Sequence, residues 1–380
     1  MLPCDFLHIF GTFDHGGAEA RTLDLMRGFG ARATHTVLVA DQAALGARLG
    51  VSPELSVCFP KDESRSVSGH PTLARLLRLA RLMQPHDLIL TYGWGGMDFV
   101  MARRLFSRMI RLPALVHHED GTDPHRSGAR GKLRHAYRRF ALRGASRVVV
   151  PSRSLPEVAL TDWKVPPDIL KYIPNGIRLD PKACRGTETA NSAARRMPGE
   201  TVVVCVAGLR PEKNLPRLVR AAALAGTDIR LVIVGEGPER EVVTAEARKW
   251  TFEHQLDMIG FVADVPNYLA AADIFALSSD TEQCPLSVME AMAAGLPVVA
   301  PSVGDIESMV SEANRPFIVP PNDEERLAAA IRRLADDPAL CTAIGASNAD
   351  RARSHYGSAG MIDAYLDLYS GLSRLPAVGR

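Results

Sequence analysis

The chain has 380 residues, 46% hydrophobic and 23% charged, with 45 Lys and Arg against 43 Asp and Glu for a formal net charge of +2. At about 150 residues per domain this length predicts two domains, and the globular composition excludes a disordered, collagen-like or low-complexity protein. No apolar run reaches the ~18 residues of a membrane span, and the cysteines Cys4, Cys58, Cys184, Cys205, Cys284 and Cys341 stand singly, which argues against a disulfide framework or a structural zinc site.

The amino terminus lacks a positive n-region, and Asp5 and His8 interrupt its apolar stretch, so no signal peptide is expected and the protein reads as reduced and cytoplasmic. Short β-branched or apolar runs then recur along the chain: Phe6–Phe10, Thr36–Val39, Leu88–Thr91, Ala114–Val116 and Arg147–Val150 in the first half. In the second half they are Val202–Val206, Arg230–Val234, Leu256–Ile259, Ile274–Leu277 and Pro297–Ala300. Each precedes a Gly- or Pro-containing turn and usually a helical pattern, the rhythm of parallel α/β sheets whose strands are buried on both faces. Phe6–Gly28 and Thr201–Ala225 both run strand, loop, helix, a coarse duplication. The polar, aperiodic stretch Cys184–Glu200 separates the halves. The expected architecture is two doubly wound domains, residues 1–183 and 184–358, facing a central cleft, with a final helix from Ala359 that packs on a surface periodicity does not identify.

The small net charge hides an asymmetry. Pro124–Pro156 contains no acidic residue and nine arginines and lysines from Arg126 to Arg153, and Thr72–Met83 and Val100–Arg111 mix Arg with Leu, Met and Phe at helical spacing. Such helices either lie on an anionic membrane surface or cover packed helices with their Arg stems. Nucleic acid is disfavoured by the low total charge and the lack of interleaved aromatics.

Chemistry concentrates in Ala276–Glu307. After the strand ending at Leu277 comes a polar loop, then a helix that Pro285 can open and Gly295 stops. The free N–H groups near Cys284–Ser287 are a seat for a phosphate. Glu282 lies in the loop before the helix and Glu290 inside it, two carboxylates able to accept hydrogen bonds from paired hydroxyls. A phosphate between two hydroxyl acceptors describes a nucleotide sugar.

Glu282 and Glu290, with seven residues between them and followed by Ala-Met-Ala-Ala-Gly-Leu-Pro, resemble the E-x7-E signature of retaining GT-B glycosyltransferases of the "glycosyl transferases group 1" type, family 4. His15-Gly16-Gly17-Ala18-Glu19 resembles that family's amino-terminal glycine loop, Ile173-Pro174-Asn175-Gly176-Ile177 its hinge-side segment and Val206–Asn214 its phosphate-binding loop. Gly235-Glu236-Gly237-Pro238, Gly260-Phe261-Val262 and Ala271-Ala272-Asp273 also fall in the family's order.

The resemblance implies a fold of two Rossmann-like domains, a first that binds acceptor and a second that binds donor. Arg210 and Lys213 would hold the donor diphosphate without metal or cofactor, although the family commonly has Arg where this chain has Gly208. Glu290 would bind the ribose, Glu282 the sugar hydroxyls, Val262 the base through its backbone, and Leu286 and Ser287 the phosphate through their N–H groups. Gly16 and Gly17 would allow close approach of the first domain's loop. Asp305 stands where many members have a second glycine. In Val116-His117-His118-Glu119-Asp120-Gly121 the resemblance implies a histidine at the sugar; strand alternation admits only one of the two, with His118 the first choice and His117 the second.

The implied donor is a UDP- or GDP-linked sugar, the acceptor a glycan or lipid-linked molecule, and the site of action the cytoplasm or the inner membrane face. The alternatives are a dinucleotide-dependent oxidoreductase, whose third fingerprint glycine is here Arg240, a nonhydrolysing sugar-nucleotide epimerase, and a catalytically silent binding protein.

Overall fold

The computed structural model describes residues 3–14, 16–41, 43–65, 67–121, 129–179, 199–262 and 264–375. They form two compact units, Met1–Asn175 with Ala359–Arg380, and Gly176–Ser358. The boundary stretch 184–198, with Cys184, and also His15 and Arg126, lie outside the described residues.

The first unit is a parallel sheet in the order β3-β2-β1-β4-β5-β6-β7. Its strands are β1 (Cys4–Phe10), β2 (Ala33–Val39), β3 (Val57–Cys58), β4 (Leu88–Tyr92), β5 (Ala114–His118), β6 (Arg147–Val150) and β7 (Leu170–Tyr172). Its helices are α1 (Gly17–Phe29), α2 (Lys61–Ser64), α3 (Leu73–Met83), α4 (Met97–Phe106), α5 (Ala129–Leu142) and α6 (Leu155–Thr161). On one face of the sheet Leu76, Leu79, Phe99, Leu142 and Trp163 form a core, and on the other Phe6, Met26 and Phe29 do.

The second unit repeats the plan in the order β10-β9-β8-β11-β12-β13. Its strands are β8 (Thr201–Val206), β9 (Ile229–Val234), β10 (Leu256–Gly260), β11 (Ile274–Ala276), β12 (Val298–Pro301) and β13 (Ile318–Val319). The Val/Ile runs of β8 and β9 are buried on both faces, which is why they read as continuous apolar segments. Helices α7 (Leu215–Ala225), α8 (Arg240–Lys249), α9 (Val265–Ala271), α10 (Leu286–Ala293), α11 (Ile306–Met309), α12 (Glu324–Ala335) and α13 (Pro338–His355) surround this sheet.

The last helix, α14 (Ser358–Ser370), belongs mainly to the first unit: Met361, Tyr365, Leu366 and Tyr369 join the core built on Phe6 and Phe29. Polar contacts fix it there. The Tyr369 hydroxyl is 2.9 Å from His118 Nε2, and His118 Nδ1 is 3.2 Å from the Thr91 carbonyl oxygen. Removing that hydroxyl as Tyr369→Phe leaves a buried ring nitrogen without its partner and should lower stability by about 1 kcal/mol, read as a shift in the urea midpoint. An unchanged midpoint would show that the hydroxyl contributes no net stability.

A second buried group joins distant segments of this unit. Arg21 of α1 is 2% exposed and forms a bidentate pair with Asp120, at 2.5 and 2.8 Å, while also donating to Asn175 Oδ1 at 2.9 Å. Burial penalises the Asp120 carboxylate, but the Arg21 guanidinium outweighs that penalty and holds its pKa below the usual range. No helix among the described residues is long and apolar enough to cross a membrane.

Candidate active site

In an open parallel sheet ligands bind beyond the carboxyl ends of the strands, where the strand order reverses. In the second unit that switch point lies between β8 and β11. The loops leaving these two strands carry Arg210 with Lys213, and Glu282.

Three contacts hold the loops together. The Ser278 hydroxyl lies 3.0 and 2.9 Å from the carbonyl oxygens of Lys213 and Asn214, and the Asp280 N–H donates to the Glu212 carbonyl at 2.9 Å. Asn214 turns the chain into α7 with φ 43° and ψ 48°, a left-handed conformation that Asn tolerates better than most side chains. The result is a direct ion pair, Lys213 Nζ to Glu282 Oε1 at 2.5 Å, with the Ser279 hydroxyl donating to the same oxygen at 2.7 Å. The Glu282 side chain is only 8% exposed and that of Lys213 22%, so the pair sits in a recess of reduced solvent screening.

Arg210 is exposed, and its Nε lies 3.5 Å from where a Cβ on Gly208 would stand. Its guanidinium therefore folds back over the position that bears the arginine in the resembled family. It makes no side-chain hydrogen bond or ion pair among the described residues, which leaves its donors available.

Pro285 is the residue before α10 rather than its first residue, so the helix opens at Leu286, one residue later than the sequence suggests. Leu286 and Ser287 supply its first N–H groups and Glu290 lies about one turn further in. Leu286, Ser287, Glu290 and Val262 are all half-buried. Beneath the site, burial pushes the Cys205 thiol up to about 12, making it an inert packing group rather than a nucleophile.

The loop after β12 closes onto the same place. The Asp305 N–H donates to the Gln283 carbonyl at 2.8 Å, and Gly304 has φ 57° with its missing Cβ directed at the carbonyl oxygens of Glu282 and Gln283. Glycine at 304 is thus required by a close backbone approach to the Glu282 loop. Asp305 is 6% exposed and drawn into that contact. Gly235 and Gly237, the first two positions of the dinucleotide fingerprint whose third is Arg240, serve a similar purpose, since a Cβ at Gly235 would strike the Ala207 carbonyl oxygen and one at Gly237 that of Leu209.

The first unit has its own switch point, between β1 and β4. There the backbone of Gly95 lies against that of Gly11 so closely that no side chain fits between them. Gly16 precedes α1 in an extended conformation and Gly17 is its first residue.

His117 and His118 point to opposite faces of the sheet, as alternation requires, but each is essentially fully buried. His118 stacks on Tyr92 at 4.7 Å between ring centroids and bonds α14, and burial drives its pKa down to about 3, so the imidazole is neutral. His117 Nδ1 lies 2.9 Å from the Thr91 hydroxyl, and its Nε2 lies 3.5 Å from Glu119 Oε2. Arg138 Nη2 is 3.6 Å from that same carboxylate oxygen. Of the Arg21–Asp120–Asn175 cluster, Asp120 lay in the HHED run and Asn175 in the hinge-side motif, but no sequence signal pointed to Arg21.

Two family models match in succession, Glycosyltransferase Family 4 over residues 15–181 and Glycosyl transferases group 1 over residues 188–351. A lipopolysaccharide core biosynthesis glycosyltransferase of Rhizobium meliloti is 30% identical over 168 residues, 44% of this chain and 49% of that protein, so the match spans about half of either. An Escherichia coli UDP-Gal:alpha-D-GlcNAc-diphosphoundecaprenol alpha-1,3-galactosyltransferase is 24% identical over 288 residues, 73% of this chain and 74% of that one. Among solved structures, HepE of Anabaena in complex with UDP and glucose superposes with a TM-score of 0.81 at 21% identity, over 97% of this chain and 100% of that one, a likeness of fold. Two successive family models and two switch-point sheets of matching design converge on one conclusion: the chain belongs to the group 1, family 4 glycosyltransferases and has their GT-B fold of two Rossmann-like domains.

Proposed function

We propose that this glycosyltransferase takes its sugar from a nucleoside diphosphate sugar, UDP- or GDP-linked, and transfers it with retention of configuration to an acceptor hydroxyl. The observation that carries the reading is the Lys213–Glu282 pair at the β8/β11 switch point, with Arg210 on the same loop as Lys213 and α10 opening four residues after Glu282. Lys213, Arg210 and the N–H groups of Leu286 and Ser287 stabilise the charge that accumulates on the departing diphosphate. Glu282 leaves Lys213 to accept hydrogen bonds from the sugar hydroxyls, Glu290 takes the ribose hydroxyls, and the Val262 backbone meets the base.

The bond between the anomeric carbon and the phosphate oxygen breaks while the acceptor oxygen bonds that carbon from the same face. The acceptor proton passes to the departing phosphate oxygen. Two cations do the work a divalent ion does elsewhere, so transfer proceeds without metal. In the first unit, the acceptor-binding one, Glu119 orients His117, the histidine with a carboxylate beside it, while His118 fastens α14. The acceptor is a glycan or lipid-linked molecule and the enzyme works at the inner face of a membrane. The E. coli relative's diphosphoundecaprenol substrate and the UDP bound by HepE support this reading.

A thermal-shift panel of nucleotide sugars and dinucleotides tests it. A cognate donor at about 100 times its Kd should add about 2.7 kcal/mol of apparent stability, undiminished by EDTA. A response to NAD alone would overturn the assignment, and an inverted anomeric signal in the product would overturn retention.

A further inference from the structure

The turn that leaves β4 reads Gly93-Trp94-Gly95-Gly96, so Trp94 is its single side chain. Its backbone is closely held, with Gly93 at φ 50° and Gly95 pressed on Gly11. The indole nevertheless stays 36% exposed, at the carboxyl end of a strand that borders the first unit's switch point, where sheets of this kind take their ligands. Trp250 is as exposed, at 39%, but it follows α8 on the amino-terminal side of β10, away from any such position.

One helix clamps the indole. The Arg134 guanidinium carbon lies 3.9 Å from its ring centre, that of Arg138 5.6 Å, and the Tyr137 ring 6.0 Å. The Tyr137 hydroxyl donates to Asp98 Oδ1 at 2.6 Å, and Arg138, 5% exposed, lies between Trp94 and Trp163. All three contacts come from α5, so the exposed surface of Trp94 is the side turned away from that helix. A tryptophan fixed in this way loses little conformational freedom when a ligand lies on it.

The neighbouring strand supplies a polar partner. Tyr92 and His118 are register partners on β4 and β5, and Trp94 and Asp120 each follow by two residues. Adjacent strands run about 4.8 Å apart, so an aromatic surface and a carboxylate end neighbouring strands. The Asp120 side chain is 29% exposed, and Arg21 sets both of its oxygens while leaving lone pairs for further donors. A pyranose ring has a face of C–H groups and a rim of hydroxyls. The face suits an indole, and the rim suits a fixed carboxylate. A purely apolar ligand would desolvate that carboxylate and give it nothing in return.

We propose that Trp94 is the platform on which a pyranose ring of the acceptor lies, with Asp120 accepting hydrogen bonds from the hydroxyls of that ring. The inference deepens the reading of the first unit as the acceptor-binding one, and rests on it, by naming a residue that selects the acceptor.

Two readouts test it, the first without donor. Titration of the whole chain with the methyl glycosides of glucose, galactose, mannose and N-acetylglucosamine should change the tryptophan fluorescence for at least one of them. That change should vanish in Trp94→Phe and persist in Trp250→Phe. With the responding glycoside as acceptor, Trp94→Leu should raise the acceptor KM at least about tenfold at little cost in kcat, whereas Trp94→Phe, which keeps an aromatic face, should stay within about threefold of wild type. Asp120→Asn, which keeps the shape but loses one accepting oxygen, should raise KM as well. The thermal shift by donor should be the same in the Trp94 variants as in the wild type. Its absence from the wild type would count against the donor assignment and leave the glycoside titration standing. The proposal is overturned if no glycoside alters the fluorescence, if Trp94→Leu keeps the wild-type KM, or if cyclohexanol, a ring without the hydroxyl rim, matches the glycosides.

Discussion

Replacing Lys213 with alanine should lower kcat/KM for sugar transfer by about two to three orders of magnitude, the usual cost of removing one preorganised group aimed at developing charge. The cation lies at the sheet's switch point, with its backbone carbonyl held by the Ser278 hydroxyl, and Arg210 is the second cation on the same loop. The same substitution strands Glu282, whose side chain is 8% exposed, beside an empty space. Pairing Lys213→Ala with Glu282→Gln separates the two consequences. If Lys213 acts on the diphosphate, the double variant recovers folding stability but stays far less active than Glu282→Gln alone. If the pair is only a structural tie, the stable double variant turns over as fast as Glu282→Gln alone. A single Lys213→Ala enzyme with near-normal kcat/KM would remove the lysine from the chemistry.

Acid should unfold the first unit well before it threatens the second. His8 Nε2 is 3.0 Å from His35 Nδ1, and His8 Nδ1 is 3.1 Å from the Tyr92 hydroxyl, all inside the core that receives α14. Burial holds His8 well below its ordinary pKa of 6.5, His35 at about 4 and His118 at about 3. A depressed histidine pKa means that the unfolded chain binds a proton that the folded one refuses. Stability is therefore full above about pH 6.5 and declines as pH falls toward 4 and then 3, by about 1.4 kcal/mol per pH unit for each histidine titrating only in the unfolded state. With all three engaged the slope approaches about 4 kcal/mol per pH unit. Asp120 works over a lower range, since its depressed pKa keeps the Arg21 pair intact until more acid conditions. Trp94 and Trp163 report on the first unit and Trp250 on the second, so urea titrations of Trp250→Phe at pH 7.5, 6 and 5 follow the histidine unit alone. A midpoint constant across that range would refute the linkage.

The sequence revealed the fold through its longest strands, because β1, β8 and β9 are six or seven residues of nearly continuous burial. It missed Val57–Cys58, Leu170–Tyr172 and Ile318–Val319, edge strands of two or three residues, too short for any period to register. The residues proposed to bind donor stood out because Arg210 and Lys213 share one short loop and Glu282 and Glu290 one loop-helix segment. What spacing cannot show is pairing across distance. Arg21 meets Asp120 and Asn175 from 99 and 154 residues away. Tyr369 reaches His118 over 251 residues, which turns a histidine that reads as a site residue into a fastening for α14. The basic segments left open a membrane-facing surface or Arg stems covering packed helices; in the fold Arg75 and Arg138 are interior and Arg139 and Arg143 face outward.

The placement of α14 also sets an order of assembly during synthesis. At about 5–20 residues per second, the ribosome releases the whole of Gly176–Ser358 before the residues that complete the first sheet's core emerge. Phe6 and Phe29 lie in the same buried cluster as Met361, Tyr365 and Tyr369, so the half made first is finished last. Until translation reaches the final helix, the nascent chain carries an uncovered apolar face, the kind of surface that recruits chaperones.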